Sequence, residues 1–99
     1  MTDGLFLWRT PSGDLLMPWS SFVAGRHYAQ GVSRSESGRI SGPWRHDAEP
    51  LLTDDGGHGM LFRTFEGRLM LALHQPSTSP MERARLMHVE ERGGRLHLA

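Results

Sequence analysis

The chain contains no cysteine, which excludes disulfide staples and thiolate-bound metal, although it does not fix a cellular compartment. It also has no charge imbalance, since 11 basic and 11 acidic side chains cancel. With no block of like charge, neither a nucleic-acid footprint nor a polybasic membrane anchor is present. Long apolar runs are missing as well: the longest, Leu69 to Leu73, is far too short to span a bilayer, and no basic segment followed by an apolar stretch opens the chain. These absences predict a soluble, cytoplasmic protein with neither nucleic acid nor membrane as a partner. A length of 99 residues allows one domain with a modest core.

What the chain does have is punctuation. Its 12 glycines and 6 prolines separate short runs rich in Leu, Met, Phe, Trp and Val, the pattern of an all-β chain. Between Met81 and Glu91 the composition favours a helix. The alternation of Arg83, Arg85 and Met87 with Ala84, Leu86 and His88 nevertheless predicts a strand.

A repeat of 54 residues organises the rest: Arg9-Thr10-Pro11-Ser12-Gly13-Asp14-Leu15 recurs as Arg63-Thr64-Phe65-Glu66-Gly67-Arg68-Leu69. An aromatic residue precedes each Arg-Thr pair, a glycine closes each turn, and an apolar run follows (Leu15 to Phe22, Leu69 to His74). Each copy is therefore predicted to be a β-hairpin extended by two more strands, Tyr28 to Ser35 and Ile40 to Arg45 in the first, Arg83 to Glu90 and Arg95 to Leu98 in the second. Four antiparallel strands in about 50 residues is the size of a propeller blade.

The second strand of each copy is apolar on both faces: Leu15, Met17 and Trp19 on one and Leu16 and Phe22 on the other, then Leu69, Leu71 and Leu73 against Met70 and Ala72. A sheet wetted on one side alternates apolar with polar, so both faces need cover. The fold class expected is all-β, two four-stranded antiparallel propeller-like blades, with one blade over 1–47, a linker over 48–56 and a second blade over 57–99. A small β-sandwich is the competing architecture. Two blades cannot close a ring, and their outer faces call for a neighbour: the rest of a longer protein of which this is a fragment, further blades from another chain, or a homo-oligomer.

Candidate chemistry gathers at the open end of the second hairpin. A two-residue turn at Glu66-Gly67 would place Gly59 opposite His74 and His58 opposite Gln75, bringing two imidazoles together. His58 lies in Asp54-Asp55-Gly56-Gly57-His58-Gly59, whose glycines permit tight turns and close approach. Imidazole with nearby carboxylates is metal-ligand chemistry, with calcium the hard-cation candidate, while a hydrogen-bonded structural histidine explains the same residues. The repeat aligns His58 with Gly4 and so puts Asp3 at the matching entrance of the first copy. A carboxylate and an imidazole would then face one opening. Trp19 and Trp44 have the shape to stack on sugar rings, and both also suit a core. No spacing of metal ligands links His27, His46, His88 and His97, and nucleophile elbows and phosphate loops are absent.

Three stretches, LLMPWSSF, HYAQGVSRSESGRISGPW and DDGGHGMLFRTFEGRLMLALHQP, resemble in order the last two blades of family 43 glycoside hydrolases. That family folds as a five-bladed β-propeller and cleaves xylosyl and arabinosyl linkages with inversion. The resemblance implies that His58 matches a channel-floor histidine associated with a central calcium or water cluster. It also implies that Asp3 falls near the general acid, ordinarily a glutamate followed by a small residue and proline, where this chain reads Thr2-Asp3-Gly4-Leu5. Trp19 and His74 are the expected substrate contacts, and xylan- or arabinan-type carbohydrate is the expected ligand. The family's base and a further tuning aspartate belong to earlier blades, so the chain alone is expected not to hydrolyse glycosides. Pro18 sits in strand two, where the family carries an apolar residue that donates to the ladder. The alternative is a non-catalytic, self-associating or carbohydrate-binding β module.

Overall fold

The computed structural model describes residues 2–22 and 27–99, and these contain nine strands and no helix. Five strands form the first sheet. Two short ones, β1 (Thr2–Asp3) and β2 (Trp8–Arg9), pair in succession with β3 (Leu15–Phe22), which pairs with β4 (Tyr28–Ser35) and through it with β5 (Trp44–His46). The second sheet runs in simple order: β6 (Gly57–Arg63), β7 (Leu69–His74), β8 (Ala84–Arg92) and β9 (Arg95–Leu98). All pairings are antiparallel. Because β1 and β2 are two pieces of one inner strand, each sheet has four strand positions.

Pro18 lies where that inner strand is broken. Its carbonyl accepts from Phe6 N at 3.0 Å, so the nitrogen of the same residue points to the same side and has no hydrogen to return. Lacking that rung, the inner strand leaves the ladder between Asp3 and Trp8.

The repeated Arg-Thr segments make identical turns. Gly13 N donates to Thr10 O at 2.9 Å and Thr10 N to Asp14 O at 2.8 Å, while Gly67 N to Thr64 O and Thr64 N to Arg68 O are both 2.9 Å. Each threonine hydroxyl accepts an amide four residues on, at 3.0 Å in both copies. The arginine before it donates to the turn glycine's carbonyl, at 2.9 Å from Arg9 and 3.1 Å from Arg63. Gly13 and Gly67 adopt φ of 97° and 90°, the left-handed conformation that closes a three-residue hairpin loop. This corrects the two-residue turn expected at Glu66-Gly67. Leu69 faces Arg63, Ala72 faces Met60, and a bulge then shifts the register so that His74 faces Gly57 rather than Gly59. Ile40, expected in the last strand of the first copy, instead lies in the turn closed by Gly42 N to Arg39 O at 3.0 Å.

The sheets pack face to face. Leu16 and Val32 of the first meet Leu61, Leu69, Leu71, Leu73, Val89 and Leu96 of the second. Burying these side chains supplies the main force holding the pair together. At one end of this seam Arg34 donates to Gly94 O and lies 3.8 Å from Asp14, tying the β8–β9 turn to the first hairpin. Between the sheets the chain follows the outer edge of β4, with Gln30 N donating to Leu52 O at 2.8 Å and Leu51 N to Gln30 O at 2.7 Å.

Candidate functional site

The other end of the seam is polar, and its geometry begins with two glycines. A Cβ on Gly57 would lie 2.6 Å from the Tyr28 ring, and one on Gly59 would lie 2.7 Å from both Gln30 Oε1 and Leu71 Cδ1. Only bare backbone fits there, which is why β6 can press against β3 and β4. His58 stands between them at the bulge with φ of 54°. That left-handed conformation is uncommon for a residue with a side chain, and the bulge turns the imidazole outward to an exposed position.

Buried polar groups of the first sheet hold this backbone. Ser20 Oγ accepts from His58 N at 2.6 Å and Gln30 Oε1 accepts from Gly59 N at 2.8 Å. Gln30 Nε2 in turn donates to Trp19 O at 2.9 Å. Ser20 and Gln30 are both fully buried, so the strained bulge is secured by groups whose own polarity is satisfied by holding it.

Asp3 pairs with Ser20 across the first sheet and so shares its face. Its Oδ1 accepts from the Tyr28 hydroxyl at 2.5 Å. The Tyr28 ring stacks on His74, with centroids 5.6 Å apart and planes 18° off parallel, and His74 lies 6.5 Å from His58. Burial, together with the hydrogen bond to Asp3, pushes the Tyr28 hydroxyl up to about 12. The hydroxyl is therefore a standing donor. Tyr28 N donates to Asp55 Oδ1 at 3.2 Å and Ser77 N to Asp55 Oδ2 at 3.1 Å. These amide bonds, that from Ser77 first, hold the Asp55 carboxyl below its ordinary value of 3.8.

Asp3, His58 and His74 thus gather at one end of the seam, whereas Trp19 does not join them. Strand alternation places Trp19 on the outer face of the first sheet, its ring lying across Gly31, its Nε1 donating to Ser33 Oγ at 2.9 Å, and His46 tilted against it at 5.4 Å. Trp44 is committed to the Ile40 carbonyl at 2.9 Å. The sequence carries no mark of Tyr28, Ser20 or Gln30 as site residues, and a tyrosine opening a buried strand of mixed composition has no local sign of its role. Its being the chain's one tyrosine is the only signal.

Calcium takes six to eight oxygen ligands, and among the described residues no three His, Cys, Asp or Glu side chains converge. The residues present therefore do not form a direct shell for the ion. His58 and Gly4 instead line a shallow depression of about 220 Å³ with Leu5, Phe6, Gly59 and Met60.

Among solved structures the chain is similar to an endo-arabinase from Bacteroides thetaiotaomicron VPI-5482, with 38% identity, a TM-score of 0.90, and coverage of 96% of this chain and 34% of that one. An endo-1,4-beta-xylanase from the same organism superposes with a TM-score of 0.83 at 19% identity, over 100% of this chain and 38% of that one. No protein-family model and no curated protein matches. The chain spans about a third of the length of the arabinase structure it resembles. Two stacked antiparallel sheets with these neighbours give the chain a glycosidase-like all-β fold.

Proposed function

We propose that the chain is a two-blade part of a five-bladed glycoside hydrolase of the family 43 type, acting on arabinan- or xylan-type chains. In this reading it supplies Asp3 as general acid and His58 and His74 to the channel, while other blades supply the water-activating base and the tuning aspartate. The observation that carries the proposal is the gathering of Asp3, Tyr28, His58 and His74 at one end of the seam, in a chain 38% identical to an endo-arabinase structure over nearly its whole length.

Inverting hydrolysis needs an acid and a base roughly 6.5 to 9.5 Å apart with water between them. Asp55, the other carboxylate in contact with Tyr28, is occupied by two backbone amides and acts as a turn former. Turnover therefore requires more than this chain. Were calcium to bind, His58 is the residue of this chain that would meet it, through water, and the ion would supply positive charge at the channel floor. The expected result is no hydrolysis of aryl α-arabinofuranoside or aryl β-xyloside by the purified chain, with or without calcium. Hydrolysis appears when the remaining blades are supplied and is lost with Asp3→Ala. Turnover by the chain alone, abolished by Asp3→Ala and His58→Ala, would overturn this division of labour.

A second reading, a non-catalytic module that self-associates, draws on one observation. The outer face of the second sheet leaves Met60 52% and Leu86 63% exposed, which invites burial against a partner.

A further inference from the structure

Tyr28 meets Asp3 through one oxygen only, and the contacts that fix the tyrosine, besides the Phe22 ring at 5.0 Å, come from three sides. Its ring stacks on His74, the seam backbone at Gly57 lies against its ring edge, and its amide is held by Asp55. The hydroxyl donates to Asp3 Oδ1 at 2.5 Å. A protonated carboxyl group has one oxygen that carries the hydrogen and one that accepts. The oxygen already accepting from a phenol is the second kind, so the hydrogen belongs on the other.

Resting on the reading of Asp3 as general acid, we infer that Tyr28 is a positioning residue that confines the transferable proton of Asp3 to Oδ2. When the glycosidic bond breaks, that proton passes from Oδ2 to the departing oxygen. The electron pair of the O–H bond stays on the carboxylate, and the phenolic proton remains on Tyr28. The new anion keeps a charge-assisted hydrogen bond at Oδ1 that strengthens as its charge develops. The phenol, held up to about 12 by burial and by Asp3, does not lose its hydrogen in the range where carboxyl groups exchange theirs.

Tyr28 is the chain's one tyrosine, so ultraviolet titration of tyrosinate reports it alone. The midpoint is expected near 12 in the unmodified chain and shifted toward 10 in Asp3→Asn, with circular dichroism confirming that the variant stays folded. Infrared spectra of the chain labelled with ¹³C at aspartate carboxyls are expected to show the Asp3 carbonyl band of the protonated form at lower frequency than in Tyr28→Phe. A wild-type midpoint near 10, or a carbonyl band unmoved by Tyr28→Phe, overturns the inference. The Asp3→Asn titration decides the matter even where Tyr28→Phe fails to fold. With the remaining blades supplied, Tyr28→Phe is expected to slow cleavage of poor leaving groups more than of activated aryl groups, and equal slowing overturns it. Turnover indifferent to Asp3→Ala sinks the acid reading, and the positioning of its proton by Tyr28 with it, while the two spectra still report the contact.

Discussion

At the scale of single residues, His58 combines an exposed imidazole with backbone strain. Its φ of 54° suits glycine or asparagine far better than a branched side chain. His58→Val is therefore expected to cost about 1–3 kcal/mol in urea unfolding, with His58→Asn costing clearly less; equal losses would mean the bulge relaxes. Asp55 works through its charge. Its carboxyl titrates below 3.8 in the fold because Ser77 and Tyr28 amides bind the anion. The stability it contributes is complete above that ordinary value and is lost as pH falls through the lower folded one. Melting temperatures are expected to fall in that acid window for the unmodified chain and to change less for Asp55→Asn. The tight backbone around His58 was legible in the sequence from its flanking glycines. Tyr28 was not, because a tyrosine at the start of a buried strand looks like core until its hydroxyl is seen on a carboxylate.

Among the elements, the two hairpin turns and the seam use glycine for different reasons. Gly13 and Gly67 need only a left-handed backbone, with open space where a Cβ would go. Gly57 and Gly59 need the space itself. Gly67→Ala is thus expected to cost about 1–2 kcal/mol, whereas Gly57→Ala costs more and also disturbs Tyr28, which the tyrosinate midpoint detects. A Gly57→Ala chain with unchanged stability and midpoint would show that the sheets can part freely. Strand positions were readable from the 54-residue repeat and the two-sided apolar pattern, and β3, β4, β7 and β9 fall where that pattern put them. Register was not readable. A glycine after Phe65-Glu66 serves a two-residue or a three-residue loop equally well, and the threonine hydroxyl that selects the longer one acts in three dimensions. The bulge at His58 depends on Ser20 and Gln30, 38 and 29 residues from the groups they bind, a distance no local pattern encodes.

For the molecule as a whole, the described residues bury the apolar faces of both sheets in the seam, and the outer faces are turned away from it. Met60 and Leu86 lie on one of them. Sedimentation equilibrium at micromolar concentration is expected to show a mass that rises with concentration, and Leu86→Glu to return it toward the monomer. A chain that stays monomeric throughout would remove self-association and leave cover by additional blades as the remaining proposal. The face that each sheet covers with the other was legible from its apolar strands; the polar end of the seam was not, since it depends on which residues two sheets bring together.

The fit of Gly57 and Gly59 against Tyr28 and Gln30 also limits how this protein can change. Residues that would improve strand propensity at these two positions would wedge the halves apart at the very end where Asp3, Tyr28, His58 and His74 meet. Drift toward a sturdier β6 is therefore closed to a lineage that keeps this fit of sheet against sheet.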